Sequence, residues 1–274
     1  MSWLDKVTKD PRPLYLISFI ALVFPLIYPI VLPLKVSQGT YGIYDFIKNM
    51  KPEERILLTG SWDYKFGELY PQFAAVLEHC IQKQVKIVIL EFGTTVPTWT
   101  EEAFKDVRIR ERMKYGVDYV DLGYIPGGEV MVAGLCKDFQ SIVKEDYYGN
   151  KIADLPITKD IKSIKDIKGI ICFTGSADSQ YWLNQAWAPY GVKVAHALLA
   201  GKVMDSEAYF RAGSIFGILN GIRGAAEYES LVSRPGVGLG QMGSISFSAM
   251  VVVLALIVGT FVHLRQKMTG GGKK

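Results

Sequence analysis

The sequence predicts an α/β domain held between two membrane-spanning helices, and three observations indicate it. Residues 13–34 and 243–264 contain no Asp, Glu, Lys or Arg. Between them, short apolar runs alternate with amphipathic stretches, which is typical of a parallel sheet covered on both faces by helices. Three of the runs lead directly into Gly-Ser or Gly-Thr. We expect a mostly parallel, about five-stranded, three-layer domain of the Rossmann-like type.

Both apolar segments are long enough to span a bilayer, because about 30 Å of hydrocarbon needs about 20 residues of helix. Pro25, Pro29 and Pro33 should loosen the second half of the first segment, since proline lacks an amide donor. A cleaved signal peptide is the alternative for this segment. Its apolar run is long, however, and the LPLKVS stretch at its end lacks small residues for cleavage. We therefore expect a retained anchor.

Basic side chains flank the two predicted spans on their outer sides. The tails 1–12 and 265–274 carry a net charge of +5 within a chain of +4, so the domain 35–242 is close to neutral at −1. The positive-inside rule predicts cytoplasmic termini and an extracytoplasmic domain at an inner or plasma membrane. A near-neutral domain gives no electrostatic reason to expect nucleic acid. The three cysteines give no disulfide framework, which fits a cytosolic domain or an external domain in a reducing habitat. We give the charge asymmetry more weight because it acts directly on membrane insertion.

The elements of the domain follow from the apolar pattern. Strands are predicted at residues 55–59, 85–92, 118–125, 169–174 and 192–199. Helices are predicted at residues 41–50, 68–84, 98–116, 129–143, 178–189 and 205–232. The lysine-rich stretch 144–168 is expected to be a connection with one short amphipathic helix. Strand order cannot be derived from these patterns.

Polar loops after the strands form the candidate ligand site, because parallel sheets bind ligands beyond the carboxyl ends of their strands. The glycine pair before residue 129 would let backbone amides approach an anion. The alternative is that the carboxylates of these loops only cap the following helices. The candidate ligand-binding residues are Ser61, Asp63, Thr94, Thr95, Gly127, Gly128, Glu129, Ser176 and Asp178.

A short echo occurs in the two halves of the domain. Residues 59–63 and 174–178 both read Thr-Gly-Ser-x-Asp, and each is followed by a predicted helix and a strand that opens Val-Lys. The echo is either an old duplication or shared turn chemistry, in which glycine permits a tight exit and Ser or Asp caps a helix. We favour shared turn chemistry because five residues are few.

No motif with a defined chemistry is present. The sequence lacks G-x-x-x-x-G-K-[ST], a G-x-G-x-x-G between strand and helix, and G-x-S-x-G. Its three histidines are scattered, without metal-ligand neighbours at helical or hairpin spacing. The sequence therefore predicts no metal site and no cofactor, and it assigns no catalytic residue.

Small residues recur every fourth position in the predicted helix 205–232, at Gly213, Gly217, Gly221 and Ala225. Glycine within a helix costs up to about 1 kcal/mol relative to alanine. Close approach of another backbone would offset that cost. The ridge is expected to pack either on the domain's own sheet or against another subunit.

Three functions remain open. The favoured prediction is a non-enzymatic, membrane-anchored subunit of a larger assembly, with the lipid bilayer and copies of itself or other membrane subunits as partners. The second is a ligand-binding or sensory domain that uses the strand-end loops. The third is a membrane-tethered enzyme acting through Asp63, Asp178 or Glu129.

Overall fold

The structure, a computed structural model, describes residues 12–28, 34–62 and 64–270. The chain divides into two compact units. One unit is formed by the apolar segments near the two ends, and the other consists of residues 34–238.

A six-stranded parallel sheet forms the centre of the larger unit. Its strand order is β3-β2-β1-β4-β5-β6, and every neighbouring pair is parallel. This is the Rossmann order, which reverses direction between β1 and β4. The predicted parallel α/β fold is confirmed, with six strands instead of about five. The strands are β1 (Arg55–Gly60), β2 (Lys86–Glu91), β3 (Tyr119–Tyr124), β4 (Gly169–Thr174), β5 (Lys193–Leu198) and β6 (Ile218–Asn220).

Helices cover both faces of this sheet because its strands are apolar on both sides. In β1, Ile56 and Leu58 belong to one buried cluster, whereas Leu57 belongs to the other. The described helices of the larger unit are α2 (Gln38–Lys48), α3 (Leu69–Lys83), α4 (Val96–Asp106), α5 (Ile109–Arg112), α6 (Gly128–Lys137), α7 (Phe139–Ile142), α8 (Asp178–Trp182), α9 (Ala188–Tyr190), α10 (Val203–Arg211) and α11 (Gly221–Leu231). A π-helical turn, Leu183–Trp187, joins α8 to α9.

The long helix predicted over residues 205–232 is wrong. Two helices, α10 and α11, occupy this region, and β6 lies between them. Gly213 has φ +74° and Gly221 has φ +48°, conformations that end a helix or precede one. The four small residues therefore do not form a ridge on one helix. Gly213 lies in a turn, Gly217 precedes β6, Gly221 is the first residue of α11, and only Ala225 lies in the interior of a helix.

The lysine-rich connection 144–168 packs into the domain. Ile152, Ile157, Ile161 and Ile164 are fully or almost fully buried and join the cluster on one face of the sheet. Its one helical element is a 3₁₀ turn, Ile164–Asp166, in place of the amphipathic helix expected there. Apolar side chains spaced through a polar sequence thus anchor this segment.

The other unit contains two apolar helices. In α12 (Val237–Gly270), residues Val237–Arg265 are long and apolar enough to cross a membrane. The second apolar helix, α1 (Arg12–Ile27), has 16 residues and is shorter than a typical span. The end of the first predicted span, at residues 29–33, lies outside the described residues, as do residues 1–11 and 271–274 of the basic tails. Insertion of two spans and the orientation of the domain stay predictions.

Candidate functional site

The two Thr-Gly-Ser echoes meet at the carboxyl edge of the sheet because β1 and β4 are neighbours. Ser61 N donates to Phe173 O at 2.8 Å, which continues the pairing beyond β1. A Cβ on Gly60 would lie 1.9 Å from that same carbonyl oxygen, and Gly60 has φ +137°. Glycine is therefore required where the chain leaves β1. The position is the topological switch point, where sheets of this order bind ligands.

Asp178 connects the two strand ends through its carboxylate. Its Oδ2 accepts hydrogen bonds from Ser61 Oγ at 3.0 Å and from Thr174 Oγ1 at 2.9 Å. Thr174 Oγ1 in turn accepts from Ser176 N at 2.9 Å and lies 3.0 Å from Ser176 Oγ. We call Ser61, Thr174, Ser176 and Asp178 the switch-point cluster. Although Asp178 is the first residue of α8, no side-chain hydrogen bond caps that helix.

The switch-point cluster is accessible from solvent. Thr174 is buried, Ser61 and Asp178 are partly exposed, and Ser176 is exposed. The hydrogen bonds to Asp178 from the described residues all reach Oδ2. The Oδ1 atom of Asp178 can therefore accept a hydrogen bond from a ligand. The cluster offers a carboxylate acceptor and three hydroxyl groups, each of which can donate or accept.

The remaining predicted ligand residues lie apart from this cluster or outside the described chain. Asp63 is outside it. Thr94 and Thr95 are exposed in the loop before α4, and neither caps that helix through its side chain. Gly127 and Gly128 have φ +127° and +54° and form the turn into α6. This turn gives them a structural reason to be glycine, since a Cβ on Gly127 would lie 2.8 Å from Met131 Cβ.

Glu129 joins two helical elements at the same edge of the sheet. Its Oε1 accepts from Asn184 Nδ2 and from Gln185 Nε2, both at 3.0 Å. These two hydrogen bonds lower the pKa of the Glu129 carboxyl group. Because both donors belong to the π-helical turn after α8, Glu129 stabilises the position of that turn relative to α6.

Two buried carboxyl groups were not among the residues predicted from the sequence. Glu91 ends β2, Asp121 lies in β3, and neither has any exposed surface. Thr100 Oγ1 donates to Glu91 Oε1, and Gly123 N donates to Asp121 Oδ1 at 2.8 Å. Glu91 Oε2 and Asp121 Oδ2 have no hydrogen-bond partner within the described chain. We call Glu91 and Asp121 the carboxyl pair.

Burial raises the pKa of both members of the carboxyl pair, because desolvation disfavours the charged form. The charge of Asp121 raises the pKa of Glu91 further, whereas the hydrogen bond from Thr100 opposes the shift. The sequence contains a signal for this pair. In each of the predicted strands VKIVILEF and DYVDLGYI, an acidic residue (Glu91 and Asp121) lies between two apolar residues. Such a residue is buried with its strand.

A cysteine and a histidine face each other on β4 and β5. Cys172 pairs with His196 in the strand register, and both are buried. Burial lowers the pKa of His196 to about 4 and raises that of the Cys172 thiol well above its usual value. The pair is therefore a neutral imidazole beside a protonated thiol, which lacks the thiolate needed for nucleophilic chemistry. Over the described ranges, no group of three or more His, Cys, Asp or Glu side chains could hold a metal ion.

The fold and the switch-point cluster together define the class of protein. It is a parallel, Rossmann-like α/β protein with a carboxylate and hydroxyl groups at its switch point. Comparison of the chain with protein-family models, with curated proteins and with solved structures gave no match. The chemistry of the site therefore has to be inferred from its own residues.

Proposed function

We propose that this chain is a membrane-associated α/β protein that binds a small neutral or cationic molecule at the switch-point cluster. The observation that supports it most is the position of Asp178. Its carboxylate accepts from Ser61 and Thr174 at the carboxyl edge between β1 and β4. Rossmann-like sheets use this crevice for ligands, and its groups come here from two different strand ends.

The chemistry of the cluster indicates which ligand groups it would accept. A carboxylate accepts hydrogen bonds only, so it favours hydroxyl and amine donors. The three hydroxyl groups of Ser61, Thr174 and Ser176 can satisfy either donors or acceptors. None of the four residues in the cluster is basic, so an anionic ligand would face an uncompensated carboxylate. We therefore expect hydroxyl-bearing or amine-bearing ligands instead of phosphates.

The assembly-subunit and enzyme alternatives have less support. The subunit prediction drew on the two apolar spans, the prolines of the first span and the absence of catalytic motifs, together with a helical ridge of small residues. Of these supports the ridge is lost, because its residues lie in a turn, in the segment before β6 and in α11. Homo-oligomerisation thus stays a prediction without a surface assigned to it. For an enzyme, the cluster contains no histidine, lysine or cysteine to activate its hydroxyl groups, so Asp178 would have to act as the general base.

Thermal unfolding of the detergent-solubilised full chain tests the proposal. myo-Inositol, adenosine and spermidine serve as neutral and cationic probes, and inositol hexakisphosphate serves as the anionic one. A ligand that binds only the folded state raises the melting temperature. At a hundred times its Kd, it raises the free energy of unfolding by about 2.7 kcal/mol. Stabilisation by a neutral or cationic probe should be lost in Asp178→Asn.

The matched control is Asp205→Asn, which changes an exposed aspartate at the start of α10 and should retain the effect of the probe. Stabilisation by the anionic probe alone would contradict the proposal, as would an equal response of both variants.

For the membrane, we propose that Val237–Arg265 and residues 13–34 both span, with cytoplasmic termini and an extracytoplasmic domain. The apolar length of the last helix and the basic flanks support this placement.

Cysteine labelling tests the orientation. The native cysteines Cys80, Cys136 and Cys172 are buried and give little background for labelling. An impermeant maleimide applied to intact cells should label Lys151→Cys but not Lys267→Cys. The reverse pattern would invert the orientation.

A further inference from the structure

The carboxyl pair occupies the same face of the sheet on adjacent strands. Ile89 pairs with Asp121, and Glu91, two residues further along β2, points to the same face as Ile89. The register then shifts by one residue before Tyr124, and Gly123 has φ +68° at this bulge. The bulge lets the amide of Gly123 bond to the Asp121 side chain. The two acidic side chains are thereby held near each other.

This arrangement is unfavourable for two charges. Both residues have 0% exposed surface, and each retains one oxygen without a partner in the described chain. A buried carboxylate whose oxygen lacks a hydrogen bond or a counter-charge costs several kcal/mol. The cost falls when a carboxyl group binds a proton, because the neutral form needs less solvation.

Among the described residues, no basic side chain is paired with Glu91 or Asp121. Glu101 of α4 and Asp146 of the following connection are both acidic and raise the pKa of Asp121. Tyr115 donates to Asp146 at 2.7 Å, and Tyr148 donates to Glu101. Arg110, which lies beside these acidic groups, is bonded to Glu101 and to Tyr148. The pair therefore lies in a locally negative surrounding.

We propose that the carboxyl pair is a proton-binding site inside the sheet, and that release of its proton to water at alkaline pH weakens the packing of α4 over β2 and β3. The proton leaves a carboxyl O–H and is taken up by water or hydroxide, and no other bond changes. Thr100 of α4 donates to Glu91, so the charge on the pair acts on the helix that covers it. In the ladder, Glu91 pairs with Gly60, directly before Ser61 of the switch-point cluster.

The sign of the pH dependence follows from the raised pKa values. Burial and the charge of Asp121 raise the pKa of Glu91 from 4.5 to about 9, so the folded chain binds more protons than the unfolded one between these values. The contribution of the carboxyl pair to stability is then highest at low pH and is lost as pH rises through the window. Each extra proton held by the folded state raises the unfolding equilibrium constant about tenfold per pH unit.

Denaturant unfolding of the full chain in detergent, followed by tryptophan fluorescence, measures this slope. The informative range is about pH 7 to pH 7.5, above the titration of unfolded histidine and about one unit below that of unfolded cysteine. The wild-type unfolding constant should rise about tenfold per unit, and Glu91→Gln should remove most of that slope. Asp121→Asn provides a second variant that should reduce the slope. Glu145→Gln, an exposed carboxyl group in the nearby connection, should retain it.

Infrared spectroscopy provides a readout that does not depend on unfolding. A carbonyl band of a protonated carboxyl group should be present at neutral pH, disappear with rising pH, and be absent from Glu91→Gln. A flat wild-type profile, or an unchanged slope in both pair variants, would overturn the proposal. So would restoration of stability at alkaline pH by Mg²⁺ or Na⁺ at constant ionic strength, because the pair would then be a cation site.

Discussion

Ser61 and Asp178 lie 117 positions apart in the chain and are joined by a hydrogen bond of 3.0 Å between Ser61 Oγ and Asp178 Oδ2. Ser61 follows β1 and Asp178 begins α8, so the bond connects the two halves of the sheet where the strand order reverses. Thr174, the last residue of β4, donates to the same oxygen. One carboxylate thus fixes the ends of both central strands.

Replacing Asp178 should destabilise the domain as well as its ligand site. Asp178→Ala removes the acceptor of two hydroxyl groups and leaves the buried hydroxyl of Thr174 with fewer partners. We expect the free energy of unfolding to fall by about 1–3 kcal/mol, measured by chemical denaturation. Asp205→Ala, whose side chain is 70% exposed, should change it by at most about 0.5 kcal/mol. Equal effects of the two substitutions would contradict this assignment.

Gly217 is required for packing inside the domain. A Cβ at this position would lie 2.7 Å from Gly39 O and 2.9 Å from Ile43 N, both backbone atoms of α2. These backbone atoms cannot move aside as a flexible side chain can, so Gly217→Ala should lower the free energy of unfolding by about 1–3 kcal/mol. Gly201→Ala meets no atom within 4 Å and is the matched control.

Native mass spectrometry separates this effect from one on assembly. Because the contact is within the chain, Gly217→Ala should leave the oligomeric state unchanged while lowering stability. A loss of oligomers without a loss of stability would assign Gly217 to a subunit interface instead.

The parallel core could be predicted from the sequence because strands buried on both faces must be continuously apolar. The β4 strand, Gly169–Thr174, has the predicted bounds. The β6 strand could not be predicted in the same way. Ile218–Asn220 lies at the edge of the sheet and has only three residues, which is too short to show the apolar pattern of a strand. The four-residue spacing of the glycines around it is also typical of a helix.

The candidate site could be predicted only in part. Ser61, Ser176 and Asp178 follow from the rule that strand-end loops hold ligands, but their convergence depends on the pairing of β1 with β4, which the sequence does not reveal. The carboxyl pair does not follow from that rule, because the rule concerns loops. Glu91 and Asp121 lie within strands, where their burial follows from the sheet and not from local chemistry.

His79 should make the domain sensitive to acid. It is buried in α3, with Nδ1 2.9 Å from Tyr228 Oη and its ring stacked on Tyr44 at 4.6 Å. Burial lowers its pKa from 6.5 to about 4, so the unfolded chain binds more protons between these values. Its contribution to stability is therefore present above about pH 6.5 and lost as pH falls toward 4.

The measurement compares wild type with His79→Gln by chemical denaturation at several pH values. Between pH 6.5 and pH 4, the free-energy difference between the two proteins should change by about 3 kcal/mol in favour of the variant. The protons gained by folded Glu91 and Asp121 oppose the histidine effect in wild type, so only this difference isolates His79. A difference that is constant with pH would show that His79 does not titrate on unfolding.

The apolar part of α12 should respond to charge as a membrane span does. Val253 and Leu256 lie near the middle of Val237–Arg265 and are 54% and 66% exposed. An aspartate at the centre of a span raises the free energy of insertion by about 2.5–3.5 kcal/mol, which is on the order of a hundredfold in partitioning.

Val253→Asp combined with Leu256→Asp should shift the chain out of the fraction that resists alkaline extraction from membranes. Val130→Asp, at an 82% exposed position of α6, adds a single negative charge to the domain and should leave the chain membrane-bound. If the double variant stays as firmly bound as this control, α12 is not the anchor, and the membrane proposal would have to depend on the first apolar segment alone.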